Sequence, residues 1–341
     1  MKVHDFLENY QNDPLAQTFF TYCQAKNPQV LHLKGCVGSL DAVWIAAMVQ
    51  WEKSQGIVSQ HIIVLHDREE AGYFNNDLQN LLDKDFQVLH FPISYKRPYE
   101  YEEIENANVL MRTETLEKIS QKNQPFLVVT YPEAFSEKVV NRKSLIENTL
   151  ILRKGDKIDI NQLSAQLVEE YNFERTDFVY EPGQFALRGG IIDLFSFAND
   201  LPYRLDLLGD EIENIRLFDP QNQLSVENVE LLTLLPNLQT KFVHAVRESF
   251  LEFIPTSARL WFKDMEAASE AIERSFLKVE TAFEEILTQS NFTQVISNPE
   301  VLFETKTHFE AQLPKFVCIE FGKKYHQKAV QTIQLTAKPQ P

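Results

Sequence analysis

The sequence predicts an α/β protein: a parallel-sheet domain, then a small α+β domain, then a mostly helical C-terminal part. Short apolar strands alternate with helices over the first 144 residues, which is typical of a parallel sheet covered on both faces. Turn-forming Gly, Asp and Asn punctuate residues 176–218, and helical periodicity returns after residue 233. The predicted domains are therefore 1–144, 145–232 and 233–341.

The elements of the first domain follow one another regularly. The predicted strands are Val30–Leu33, His61–Leu65, Val88–Phe91 and Phe126–Thr130. The predicted helices are Leu40–Glu52, Glu69–Leu82 and Asn108–Lys122.

The second domain begins near residue 145 with a strand, a Gly-Asp turn and a helix over Asn161–Tyr171. Its strands Ile191–Phe197, Tyr203–Leu208 and Glu211–Phe218 are joined by short turns, so we expect antiparallel pairing. The third domain is predicted to contain three helices and a late strand, at Thr240–Phe253, Asp264–Phe276, Lys278–Gln289 and Phe316–Glu320. Its tail "QLTAKPQP" has linker composition, and we expect the chain to be a fragment of a longer protein.

Composition narrows the function classes. The chain has 341 residues and a net charge of -16, so we expect weak or no DNA binding, which needs a basic face. Three separated cysteines without a CxxC pair predict neither a disulfide framework nor a zinc site. The N-terminus has no apolar signal core, and no stretch approaches the roughly 20 apolar residues of a membrane helix. A cytoplasmic protein without membrane contact is predicted.

The stretch "VLHLKGCVGSLDA" has the strand–glycine turn–helix outline of a P-loop. The turn residues Gly35, Gly38 and Ser39 are present, but Leu40 or Asp41 occupies the position of the phosphate-binding lysine. Because a carboxylate repels a triphosphate, we predict a degenerate P-loop that binds no cofactor. The alternative is a nucleotide-binding enzyme or a DNA-binding domain that uses the Gly35–Asp41 turn.

Other acidic clusters are predicted to be structural. "HDREE" at residues 66–70 resembles a metal cluster, but acidic residues also favour a helix N-terminus. The carboxylates Asp210 and Glu211 lie at a turn, with no neighbouring histidine or catalytic lysine to make a general acid–base pair. We predict no catalytic residue and no metal site.

Strand periodicity separates two faces in the 176–218 segment. Ile192 and Leu194 point one way and Asp193, Phe195 and Phe197 the other, while Tyr203, Leu205 and Leu207 oppose Arg204, Asp206 and Leu208. Three further arginines flank the charged face: Arg175, Arg188 and Arg216. Arginine beside aromatic residues is typical of a protein-binding hot spot. A solvated face with weak ion pairs explains the pattern equally well.

The segment "PGQFALRGGIIDLF…PYRLDLLGDEIENIRLFD" closely resembles a segment shared by UvrB and by the N-terminal module of bacterial transcription-repair coupling factors (Mfd). The variant "GGIID" and the degenerate turn are more similar to the Mfd family. The resemblance implies a UvrB-like fold: a degenerate helicase-like domain, an inserted α+β domain that binds UvrA, and a mostly helical part. In that family, the domain that binds RNA polymerase and two ATPase motor domains lie downstream, and none of their motifs occurs here.

The resemblance implies a non-catalytic adaptor in transcription-coupled nucleotide excision repair, which recruits UvrA to lesions where RNA polymerase has stalled. The full-length parent is then an ATP-dependent DNA translocase that contacts RNA polymerase and double-stranded DNA. The family's UvrA-contacting arginine falls on Arg188. The expected UvrA surface also includes five further residues: Arg175, Asp193, Phe195, Arg204 and Asp206.

Overall fold

The computed structural model describes residues 3–82, 86–95, 99, 106–121, 123–141, 143, 150–171, 173–196, 201–234, 246–288, 297–325 and 328–336. The chain forms two compact units. Unit 1 combines Met1–Val139 with Arg247–Pro341, and unit 2 is Val140–Val246.

The helices and strands of the described residues are numbered along the chain. The helices are α1 Val3–Gln11, α2 Pro14–Cys23, α3 Leu40–Ser54, α4 Arg68–Leu81, α5 Asn106–Ser120, α6 Pro132–Ser136, α7 Ile160–Glu169, α8 Phe250–Phe253, α9 Met265–Thr288, α10 Pro299–Leu302 and α11 Lys306–Gln312. The strands are β1 Gln29–Lys34, β2 Gln60–Val64, β3 Val88–Phe91, β4 Phe126–Thr130, β5 Val139–Val140, β6 Leu150–Arg153, β7 Glu174–Arg175, β8 Gln184–Arg188, β9 Ile191–Leu194, β10 Tyr203–Leu208, β11 Glu211–Phe218, β12 Ser225–Val229, β13 Leu231–Leu234, β14 Arg247–Glu248, β15 Arg259–Phe262, β16 Val317–Glu320 and β17 Gln331–Gln334.

Unit 1 is built on a seven-stranded sheet in the order β17-β1-β16-β15-β2-β4-β3. Every neighbouring pair is parallel, which confirms the predicted α/β class. All residues of β2 and β4 are buried, because helices cover both faces of a parallel sheet. The strands β1 and β2 are not neighbours, since β16 and β15 lie between them.

The C-terminal part therefore contributes three strands to this sheet besides its helices. The sequence predicts only the strand at Phe316–Glu320. It does not predict the other two, β15 and β17, which have four residues each. The two helices predicted at Asp264–Phe276 and Lys278–Gln289 are one continuous helix, α9, because no Gly or Pro interrupts them. Residues 240–245 of the predicted Thr240–Phe253 helix lie outside the described residues.

Unit 2 contains a six-stranded sheet in the order β12-β11-β10-β9-β8-β7, and a two-stranded sheet of β6 and β13. Neighbours in the larger sheet are antiparallel, except that β7 and β8 are parallel. One of its faces carries the main core of the unit. Its buried residues include Leu163, Leu167, Phe173, Phe185, Ile192, Leu194, Leu205, Ile212 and Ile215.

The predicted alternation in unit 2 is confirmed. Ile192, Leu194 and Leu205 belong to the main core, whereas Phe195 belongs to a separate cluster. The strand predicted to reach Phe197 ends at Leu194, and Phe197 lies outside the described residues. Among the residues described, no helix is both long and apolar enough to cross a membrane.

Candidate protein-interaction site

The charged face of unit 2 is organised around the carboxylate of Asp193, which is fully buried. The antiparallel register places Asp193 opposite Arg204 on β10. Arg204 donates to it twice, from Nε to Oδ1 at 2.7 Å and from Nη2 to Oδ2 at 2.8 Å. Arg188, at the end of β8, donates from Nη2 to the same Oδ2. One carboxylate therefore holds two arginines in fixed positions.

Arg204 is held on its other side by the turn after β11. Its Nη1 and Nη2 donate to the carbonyl oxygen and to Oε1 of Gln223, at 3.1 and 3.0 Å. Gln223 adopts a positive φ of 63°. The guanidinium of Arg204 also stacks on Phe218, 4.2 Å from the centre of the ring. The hydrogen bonds that Arg204 donates to Asp193 raise the pKa of Arg204, because they stabilise its charged form.

Arg188 is the more accessible arginine of the pair, with 31% of its side chain exposed. Its guanidinium lies 4.7 Å from the centre of the Phe178 ring. Its Nη1 also donates to the carbonyl oxygen of Asp177 at 3.2 Å. Arg188 is thus aligned by a carboxylate, a carbonyl and an aromatic ring while part of it still faces solvent.

A second, more exposed ion pair lies beside this group. Arg216 lies opposite Arg204 on β11 and donates from Nη2 to Oδ1 of Asp206 at 2.7 Å. Its Nη1 donates to the hydroxyl of Ser225 at 3.0 Å. Two groups of ion pairs, Arg188–Asp193–Arg204 and Asp206–Arg216, therefore lie across four strands.

The remaining two predicted site residues have different surroundings. Phe195 is only 5% exposed and packs in a small cluster with Val179, Ala186 and Phe218. Arg175 is exposed on the edge strand β7, where it pairs with Phe185 of β8. The structure thus brings Arg188, Asp193 and Arg204 into direct contact, places Asp206 in the adjoining pair, and buries Phe195.

Comparison with protein families gives a match over this same region. The family model of the UvrB interaction domain matches residues 150–239, which include the whole charged face. We call residues 150–239 the UvrB interaction domain, after the family model that matches them.

Curated relatives agree with that assignment. The chain is 27% identical over 175 residues to the transcription-repair-coupling factor of Escherichia coli (strain K12), which is 51% of this chain and 15% of that protein. It is 29% identical over 206 residues to the same factor of Bacillus subtilis (strain 168), covering 60% of this chain and 17% of the relative. It is 37% identical over 92 residues to the same factor of Haemophilus influenzae, covering 27% of this chain and 8% of the relative.

The matched part thus spans less than a fifth of each of these relatives' own length. These relatives are transcription-repair-coupling factors, the kind of protein that the sequence motifs resemble.

Outside the UvrB interaction domain, the glycine turn of unit 1 connects β1 to α3. Gly35 and Gly38 have φ values of 83° and 60°, and the hydroxyl of Ser39 donates to Oδ2 of Asp77 at 2.8 Å. Asp41 is buried, and its Oδ1 accepts from the amide of Ala42 at 2.9 Å. The strand-turn-helix outline is therefore present, with its hydroxyl and carboxylate engaged in contacts within the protein.

Beside this turn, Lys263 pairs with Asp41 and lies 3.8 Å from Oε1 of Glu70. Burial and the Asp41 charge raise the pKa of the neighbouring Cys36 thiol to about 12, although Lys263 opposes them. Two carboxylates surround one ammonium, so the turn offers little net positive charge to a phosphate.

The other acidic clusters have structural contacts. Asp67 caps α4 by accepting from the amide of Glu70 at 2.9 Å, which confirms the predicted helix N-terminus. Asp210 lies 3.6 Å from Nζ of Lys157 at an exposed turn. In the described part of the chain, no group of three or more His, Cys, Asp or Glu could hold a metal ion.

Sequence reasoning missed three side chains that shape the UvrB interaction domain surface: Phe178, Tyr180 and Gln223. The stretch "TDFVYEPG" does contain a signal, since two aromatic residues flank Val179 among polar and turn residues. Gln223 carries no comparable signal, because its contact with Arg204 depends on how the turn folds back.

Proposed function

We propose that the UvrB interaction domain of this chain binds UvrA and that the chain is a non-catalytic adaptor. It recruits UvrA to lesions where RNA polymerase has stalled. The observation that carries the proposal is the pair of arginines held by buried Asp193 within the matched domain. The match to the UvrB interaction domain supports UvrA as the partner. The two arginines on Asp193 supply a surface that such a partner can bind.

The electrostatics of this surface suit an acidic protein partner. Arg188 is already ordered by Asp193, Asp177 and Phe178, so binding costs little of its side-chain entropy. An arginine fork with donors left toward solvent can bind a carboxylate in two-pronged geometry. Arg188 is therefore proposed as the main contact, with exposed Arg175 and the Asp206–Arg216 pair at its sides.

The buried members of the predicted set have supporting roles in this proposal. Asp193 accepts hydrogen bonds from both Arg188 and Arg204, so Arg204 helps to fix the carboxylate that aligns Arg188. Phe195 supports the same face by packing under Ala186 and Phe218 rather than by offering its ring to a partner.

The full-length parent extends the proposal. We propose that it is an ATP-dependent DNA translocase that displaces RNA polymerase and contacts double-stranded DNA, and that this chain is its adaptor part. The relatives' name supports a role between transcription and repair. A nucleotide-binding or DNA-binding use of the Gly35–Asp41 turn is not favoured, because Asp41 and Glu70 already neutralise Lys263.

Calorimetric titration of purified UvrA into this chain tests the adaptor function. We expect binding by the unaltered chain and a loss of about 2 kcal/mol or more for Arg188→Ala, because its guanidinium is a central, ordered contact. Arg274→Ala is the matched control, since Arg274 is an exposed arginine of α9 in unit 1 that forms a helical ion pair with Glu270. Equal affinities for the Arg188 and Arg274 variants would refute the assignment of the site.

A further inference from the structure

The loop between β7 and β8, residues 176–183, is tied down by three side chains. The hydroxyl of Thr176 donates to the carbonyl oxygen of Phe178 at 2.9 Å. Oε1 of Gln184 accepts from the amides of Tyr180 and Glu181 at 2.9 and 3.1 Å. Arg188 binds the carbonyl oxygen of Asp177. A loop with this many side-chain contacts has a defined shape.

The same loop directs two aromatic rings outward. Val179 is fully buried in the small apolar cluster, and its neighbours Phe178 and Tyr180 are 49% and 57% exposed. An ordered loop that exposes two adjacent aromatic rings keeps apolar surface in water that a bound partner would remove. Rigid aromatic side chains of this kind lose little entropy on binding and are common anchors of protein interfaces.

We propose that Phe178 and Tyr180 are the aromatic anchors of this surface and enter an apolar pocket of the protein partner, while Arg188 pairs with a carboxylate on the rim of that pocket. The proposal rests on the adaptor function above and adds the chemistry of the partner's site. The Phe178 ring, whose centre lies 4.7 Å from the Arg188 guanidinium, joins the two features into one contact.

A protein pocket fits this loop better than a nucleic acid does. Asp177 and Glu181 belong to the same loop, and the whole chain has a net charge of -16, so phosphates would be repelled close to the rings. A partner with an apolar pocket and one acidic rim residue meets the rings and the arginine without placing charge against Asp177 and Glu181.

Titration of UvrA against single and double variants tests the anchors. We expect Phe178→Ala to weaken binding by about 30-fold, as for a central hot-spot residue, and Phe178→Trp to restore most of the affinity by replacing the ring. Tyr180→Ala should weaken binding by about 10-fold. Tyr73→Ala is the matched control, because Tyr73 is an exposed aromatic residue of α4 in unit 1 and should not contribute.

The double variant Phe178→Ala/Arg188→Ala tests whether Phe178 contacts the partner directly or only aligns Arg188. A further loss relative to Arg188→Ala alone supports direct contact, and no further loss overturns it. If the unaltered chain binds UvrA and Phe178→Ala binds equally well, the anchors are refuted but the adaptor function stands. If the unaltered chain does not bind UvrA, the adaptor function fails and this inference fails with it. Unchanged melting temperatures of the variants show that folding does not cause the losses.

Discussion

At the scale of single residues, the charged face of unit 2 contains two kinds of ion pair. Asp193 is completely buried and receives hydrogen bonds from two arginines. A buried carboxylate is tolerated only when its oxygens are paired, because desolvation costs several kcal/mol. Asp206 and Arg216 lie in a similar cross-strand arrangement, but both are partly exposed. The solvent screens that pair, so it contributes much less to stability.

These two aspartates give a matched comparison. We expect Asp193→Ala to destabilise unit 2 by about 3 kcal/mol or more, because two arginines lose their buried partner. Asp206→Ala should cost less than about 1 kcal/mol. Hydrogen exchange of the β9 and β10 amides reports the stability of unit 2 by itself in both variants. Equal losses of stability in the two variants would contradict the central role of Asp193.

At the scale of elements, the turn between β1 and α3 contains two glycines with positive φ, Gly35 and Gly38. Their surroundings differ. A Cβ atom on Gly35 would lie 2.3 Å from the carbonyl oxygen of Leu335, which is backbone and cannot move aside. A Cβ atom on Gly38 would meet open space. The turn therefore closes tightly on the chain beyond β17 at Gly35, whereas Gly38 is required only for its backbone conformation.

Alanine substitutions separate these two requirements. We expect Gly38→Ala to cost about 1 kcal/mol, the strain of a positive φ. Gly35→Ala should cost about 1–3 kcal/mol more, because of the added steric overlap. The three tryptophans, Trp44, Trp51 and Trp261, all belong to unit 1, so urea unfolding followed by their fluorescence measures this effect. A Gly38 variant as unstable as the Gly35 variant would show that close packing is not the reason.

At the scale of the whole molecule, both ends of the chain build unit 1. The strands β16 and β15, from beyond residue 246, lie between β1 and β2. The residues before 140 therefore cannot form this sheet alone, since β1 would have no neighbour. Unit 2 has its own sheets and its own core.

Expression of separate segments tests this organisation. We expect residues 140–246 to unfold cooperatively by themselves, because their core is complete. Residues 1–139 should show no cooperative transition alone, and addition of residues 247–341 should restore one. Circular dichroism during thermal unfolding measures all three samples. A cooperative transition of residues 1–139 alone would contradict the role of β15 and β16.

Several features followed from the sequence alone, because they depend on residues close together in the chain. The bounds of β3, β4, β10 and β11 agree with prediction, since apolar runs and turn glycines mark them locally. Strand periodicity also placed Asp193 and Arg204 on one face, away from the main core. The specific motif between residues 182 and 219 indicated the family, which the UvrB interaction domain match supports. The predicted UvrA contacts themselves stay a prediction.

Tertiary structure alone decided the features that join distant parts of the chain. Lys263 lies 222 residues from Asp41 in the chain but pairs with its carboxylate at the glycine turn. No local sequence pattern reveals this pairing. The strands β15 and β17 become strands because β2, β16 and β1 offer them partners. Phe178 remains exposed beside Arg188 because Val179 between it and Tyr180 is the residue that is buried. Local sequence patterns determine the backbone conformation and the side of a strand on which each side chain lies. Burial and charge pairing depend on neighbours that only folding brings together.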